Sequence, residues 1–175
     1  ISRWHRYPNG TIKTSNDAIT MGQIILGSNI IIDTDATSTT GDITIGEVAG
    51  ASNTLTLSTG DNIANADITT AGIGSVTTLT LSDIGGTATL PGDVDVTTLT
   101  VGNTVANLAF TGDGSSVTNA VSFANDGTLI LGTSGDTQTY NGGLTTTSVG
   151  GTVTLNGTFN TSNDAVVLGA VTLGS

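Results

Sequence analysis

The side chains of this sequence best placed to do chemistry are carboxylates on strand-like spacing. Asp33 and Asp35 are separated by one residue, as are Asp93 and Asp95, and on a β-strand each pair projects from one face. Carboxylates stacked at strand spacing repel one another, and a Ca²⁺ ion, which takes oxygen ligands, relieves that repulsion. These four residues are therefore weak calcium candidates; no cofactor is expected, and calcium is the one ion the spacing leaves open. The favoured reading makes most of them turn formers bonded to their own backbone, and the nonapeptide calcium pattern GGxGxDxUx is absent from the chain. His5 is the only histidine. Its neighbours Trp4, Arg6 and Tyr7 supply no carboxylate to orient it for acid–base or nucleophilic work. No cysteine is present. With no catalytic constellation, the chain is expected not to be an enzyme. Thr-x-Thr pairs, among them Thr54/Thr56, Thr78/Thr80, Thr87/Thr89 and Thr98/Thr100, raise a further possibility, an ice-binding array of spaced hydroxyls.

Charge narrows the classes of partner. The formal net charge is −11, and the three basic side chains, Arg3, Arg6 and Lys13, all lie at the start of the chain. A body with 14 acids and no base beyond Lys13 attracts neither nucleic acid nor an anionic membrane surface. It lacks the basic residues a polysaccharide-lyase groove needs, and it offers trypsin nothing to cut. No apolar run reaches the ~20 residues of a spanning helix, so membrane insertion by a helix is not expected.

The elements that must hold these residues are short strands. Thr, Val and Ile suit a pleated, half-buried surface, while Gly, Asn, Asp and Ser mark turns. Apolar-x-apolar phrases begin at Leu55, Leu79, Leu99, Leu129, Val153 and Val171. Their intervals centre near the low twenties, with one longer step between Leu99 and Leu129. The strongest regularity spans most of the chain. Residues 9–28, NGTIKTSNDAITMGQIILGS, return at 156–175 as NGTFNTSNDAVVLGAVTLGS, with twelve of twenty positions identical and no gap. Ile12/Phe159, Ile19/Val166, Met21/Leu168, Ile24/Val171 and Leu26/Leu173 stay apolar in both copies, with a period of two interrupted at Gly22 and Gly169. Self-similarity of this kind points to a solenoid. The expected fold is all-β, a parallel β-solenoid of about seven coils, with residues 1–8 as an aromatic and basic arm and 9–175 as the solenoid module. A β-sandwich is the alternative, since regularly spaced short strands also suit it. The expected core includes Ile19, Met21, Ile24, Leu26, Ile43, Ile45, Leu55, Leu57, Leu79, Leu81, Leu99, Val101, Leu129, Leu131, Val153, Leu155, Val171 and Leu173.

The phrases TSNDAITMGQIILGSNIIIDTD, GDITIGEV, NTLTLSTGDNI and TQTYNGGLTTTSVGGTVTLNGTFNTSNDAVVLGAVTLGS resemble the β-strand repeats of large bacterial exoproteins, those similar to filamentous haemagglutinin and autotransporter-type adhesins. The resemblance covers nearly all of residues 9–175. It implies a right-handed parallel β-helix at, or outside, a bacterial cell surface. Tyr7-Pro8-Asn9-Gly10 departs from the NPNG motif of two-partner secretion domains, because Tyr7 replaces the first Asn.

A solenoid end exposes unpaired strand edges unless a polar repeat covers it. The sequence runs into AVVLGAVTLGS without such a repeat. The expected function is therefore a structural segment of an extracellular filament or stalk, assembling end to end. Its expected partner is itself, as covalent tandem modules or as stacked copies. Arg3, Trp4, Arg6 and Tyr7 of the arm, with Val171 and Leu173 at the other end, are the expected interface residues. An adhesin segment that binds glycans of a neighbouring cell is the alternative.

Overall fold

The computed structural model describes residues 8–38, 40–60 and 63–174. Period-two alternation sets its architecture: strands of the inner coils, such as those at Ile30–Asp33 and Ile84–Leu90, bury alternate side chains and turn the others outward. The first coil contains β1 (Gly10–Lys13), β2 (Ile19–Met21) and β3 (Ile24–Ile25), one strand on each of three faces. The chain then continues through β4 (Ile30–Asp33), β5 (Ile43–Ala49), β6 (Thr54–Ser58), β7 (Ile68–Leu81), β8 (Ile84–Leu90), β9 (Val94–Val101) and β10 (Val105–Phe110). After these come β11 (Ser116–Val117), β12 (Val121–Ser122), β13 (Leu129–Leu131), β14 (Thr137–Tyr140), β15 (Leu144–Thr145) and β16 (Val153–Leu155). The last three strands are β17 (Thr158–Asn160), β18 (Val166–Val167) and β19 (Val171–Leu173). The described residues contain no helix, and so none that could cross a membrane.

Among the described residues all of the strand pairs are parallel, and each joins one coil to the next. The fold is a β-solenoid of about seven turns, and the sandwich alternative is excluded. Face one stacks Gly10, Ile30 and Leu55 rows onto Leu79 and Leu99; its ladder then breaks, and the face resumes as a separate three-stranded sheet of β12, β15 and β18, with β12 packed on β9. Face two runs from Ile19 through Ile43, Ile68, Ala88, Leu108, Leu129 and Val153 to Val171. Face three runs from Ile24 through Val48, Ile73 and Val94 to β11, β14 and β17. The long strands β5, β7 and β9 bend round corners and serve more than one face.

The interior is a single apolar column from Ile19 to Leu155. All of the expected core residues lie in it except Met21, Val171 and Leu173, which belong to the two end coils; Leu173 is 78% exposed. Towards the C-terminal end the column becomes aromatic. Tyr140 packs against Phe110, Phe123 and Phe159 at centroid distances of 6.5, 6.2 and 6.3 Å, and its hydroxyl donates to Gln138 Oε1 at 3.0 Å. Burial holds the Tyr140 phenol far above its ordinary pKa.

Two features of the sequence spacing acquire a structural cause. Leu55, Leu79 and Leu99 stand on face one, whereas Leu129, Val153 and Val171 stand on face two. The long step between Leu99 and Leu129 is thus a full coil plus one face. The longer second and third coils carry loops between faces one and two. Thr34 and Thr59, both fully buried, pin these loops, donating to the carbonyls of Gly41 and Ala66 respectively.

Candidate functional site

Among the described residues, two places on this scaffold carry side chains or backbone free to act. The first is the end of the column formed by residues 156–174. β17, β18 and β19 are the last strands of faces three, one and two. Among the described residues each pairs along one ladder edge only. Val166 and Val167 are 45% exposed, Leu168 39% and Leu173 78%. Elsewhere among the described residues, large apolar side chains turn outward at Ile31 and Ile130. Val171 is half-buried against the core and Leu173 is open, so both predicted interface residues lie on this edge. Arg3, Trp4, Arg6 and Tyr7 fall outside the described residues, as does His5.

Local geometry in this last stretch matches that of the first coil. Asn16 and Asn163 both adopt a left-handed conformation, with φ of 69° and 68°, and Gly10 and Gly157 have φ of 78° and 83°. The Thr14 hydroxyl donates to the Asp17 carbonyl, and the Thr161 hydroxyl to that of Asp164. The faces, however, do not match. β1, β2 and β3 occupy faces one, two and three, whereas their counterparts β17, β18 and β19 occupy faces three, one and two. The sequence repeat therefore recurs after six and two-thirds turns of the solenoid. The same glycine turns different corners: Gly22 between faces two and three, Gly169 between faces one and two.

The second place is a notch in face three. The register sets Glu47 opposite Gly72 and Ala49 opposite Gly74. These glycines place no side chain on the outer surface, so Glu47 on one rung looks across bare backbone towards Asp93 and Asp95. Gln23, Val48, Ala71, Ile73 and Ser75 also line it. Gln23 Nε2 donates to Glu47 Oε2 at 3.1 Å. Burial, and then the neighbouring Asp93 charge, raises the pKa of Asp95. Row upon row of acceptors around a small depression suits ligands rich in hydroxyl donors.

The calcium candidates separate. Lys13 Nζ spans Asp33 and Asp35 at 3.1 and 3.2 Å, and these two carboxylates raise the Lys13 pKa. Asp33 Oδ1 also accepts the Asp35 amide at 2.8 Å, the self-bonded turn expected of Asp. Asp35 has φ of 44° and follows β4 instead of continuing it. A calcium ion here must displace an ammonium group. Among the described residues Asp93 and Asp95 carry no such partner, but no group of three or more His, Cys, Asp or Glu there is placed to hold a metal.

Threonines form outward ladders that the sequence pairs foreshadow. Thr54, Thr78 and Thr98 stack in register, as do Thr56, Thr80 and Thr100. On face two Thr20, Thr44, Thr69 and Thr89 form a third row. Residues that sequence reasoning missed lie inside: Thr70, Asn125, Gln138 and Thr146 are buried polar groups. Their only signal was a polar residue at an inward position of the alternation.

No family model, curated protein or solved structure matches this chain.

Proposed function

We propose that this protein is a structural segment of an extracellular filament or stalk, assembling end to end through its open coil edges. The observation that carries the reading is the coil of residues 156–174, which combines unpaired ladder edges with exposed Val166, Val167, Leu168 and Leu173. An apolar edge of this kind is a template for another coil. Contact between the two unlike ends of one molecule is heterologous and does not close, and such contacts generate fibres. Two features support a place outside the cell: the resemblance to exoprotein repeats, and a body without a Lys or Arg beyond Lys13, which resists trypsin-like proteases. Electron micrographs and sedimentation of purified protein test the reading. Long unbranched fibres are expected, and they are lost in a Leu168→Lys, Leu173→Lys double variant whose melting temperature stays near that of the parent. Monodisperse particles at high protein concentration count against it.

The Gly72/Gly74 notch favours one second reading, an adhesin segment that binds neutral glycans. There Glu47, Asp93 and Asp95 would accept sugar hydroxyls. Retention on a glycan array that disappears in Glu47→Ala, Asp93→Ala protein supports it; equal retention of parent and variant removes it.

A further inference from the structure

End-to-end assembly leaves open which coil meets which, and at what angle. A solenoid is a spiral, so each end is a staircase with one step. At the C-terminal end β17 is the lowest of the last three strands, and β18 and β19 rise from it on faces one and two. The next strand to be laid falls on β17. Among the described residues, the first strand of the spiral is β1 on face one, followed by β2 and β3. Matching step to step leaves one arrangement without a gap in the spiral.

Resting on the filament reading, we propose that the partner of the 156–174 edge is the first coil of a second copy of this chain, seated like on like and turned by one third of a turn. β1 of the second copy lies on β17, β2 on β18 and β3 on β19. The strands that meet are the two copies of the twenty-residue repeat. Their inward rows are apolar in both: Ile12 falls on Phe159, Ile19 on Val166, Met21 on Leu168, Ile24 on Val171 and Leu26 on Leu173. Their corners have the same shape, since Asn16 and Asn163 share a left-handed backbone, so the ladders run past them in register. Half-buried Met21 and Ile12 on one side, with Leu173 and Val171 on the other, become interior. Residues that stop short of full burial in each end coil are those that the contact would complete.

The arrangement fixes the symmetry. With the described strands β1 to β19 as the stacking unit, β1 of one copy and β1 of the next are seven and two-thirds turns apart, a rise of ~37 Å at ~4.8 Å per turn. Face one of the second copy continues face three of the first, and faces realign after three chains. One like-charge contact results, Asp17 over Asp164, both exposed. Salt screens it, so fibres form faster as ionic strength rises.

Helical reconstruction of fibres of the full chain is the test. A rise of ~37 Å with a one-third-turn rotation, added to the solenoid's own twist, is expected. Faces eclipsed from chain to chain would overturn the proposal and leave end-to-end assembly standing. So would a rise of ~32 Å, which means that residues 156–175 have displaced residues 9–28 of the neighbour. Particles that remain single at high concentration overturn both. An Asp164→Lys variant gives a second readout. With the new ammonium facing Asp17, assembly at low ionic strength speeds up on the order of tenfold and its salt dependence weakens. An unchanged rate and salt dependence contradicts the contact.

Discussion

Thr70 shows how closely the inward positions are specified. It lies opposite Ile45 in the face-two ladder, is fully buried, and its hydroxyl has no hydrogen-bond partner. A buried hydroxyl without a partner costs about 1–3 kcal/mol. Thr70→Val keeps the shape and removes the polar atom, so it is expected to stabilise the fold by about 1 kcal/mol. In a chain of this size that is a rise in melting temperature of about 2–4 °C; calorimetry showing a fall contradicts this account of the column. Asp95 is the second residue with a defined expectation. Its raised pKa comes first from burial and then from Asp93, so the folded chain holds the proton more tightly than the unfolded one. Stability from this group is fully present below its ordinary pKa and is lost as pH rises through the raised value. Asp95→Asn is therefore expected to raise the melting temperature at neutral pH and to leave it unchanged below about pH 3.5. Equal shifts at both pH values would show that the cause is not the charge. The Lys13 bridge gives a third expectation: because an ammonium already spans Asp33 and Asp35, adding or chelating calcium leaves the melting temperature unmoved. A calcium-dependent rise that survives Asp93→Asn and Asp95→Asn would place an ion at Asp33 and Asp35.

Among elements, the corners are as specified as the strands. Between faces two and three the chain turns at Gly22, Gly46, Ala71, Gly92 and Gly112 in successive coils; Gly22 has open space around it, but at Gly46, Gly92 and Gly112 the preceding coil comes so close that a Cβ would meet its backbone. A Cβ on Gly92 would overlap the Ala71 carbonyl oxygen, and one on Gly112 that of Gly92. Gly92→Ala must push two coils apart, and is expected to cost more than about 3 kcal/mol, measured as lost resistance to denaturant. A change smaller than about 0.5 kcal/mol contradicts the tight corner. The elements also show what a linear reading of this chain can reach. Strands and the inward set were legible, because alternation on a buried surface has a period of two whatever the coil does. The face each phrase occupies was not: Leu99-Thr-Val101 and Leu129-Ile-Leu131 look alike, yet lie on different faces. All three faces bury the same kind of side chain, so composition does not mark them. The pinned loops hid for a similar reason, since Thr34 and Thr59 turn inward in a chain whose threonines mostly face water. The notch was half legible. Asp93 and Asp95 stood out by spacing, but its floor depends on Gly72 and Gly74 arriving beside them through the register.

At the largest scale, the described residues form a column of about seven turns whose last coil is apolar, and the sequence repeat is out of step with the turns by one third. Because the repeat recurs after six and two-thirds turns, identical corners, such as those at Asn16 and Asn163, point to different sides of the column. In a longer assembly the threonine ladders and the Gly72/Gly74 notch would wind round the axis instead of lining one side. A fibre built this way presents its acidic surface in every direction, and its net charge of −11 per chain keeps neighbouring fibres apart at low salt. The central claim is that the solenoid axis becomes the fibre axis. X-ray diffraction from aligned fibres tests it most directly. The account predicts a strong ~4.8 Å reflection on the meridian, because coils stack along the fibre. The same reflection on the equator would mean that the molecules associate by their sides, and would contradict it.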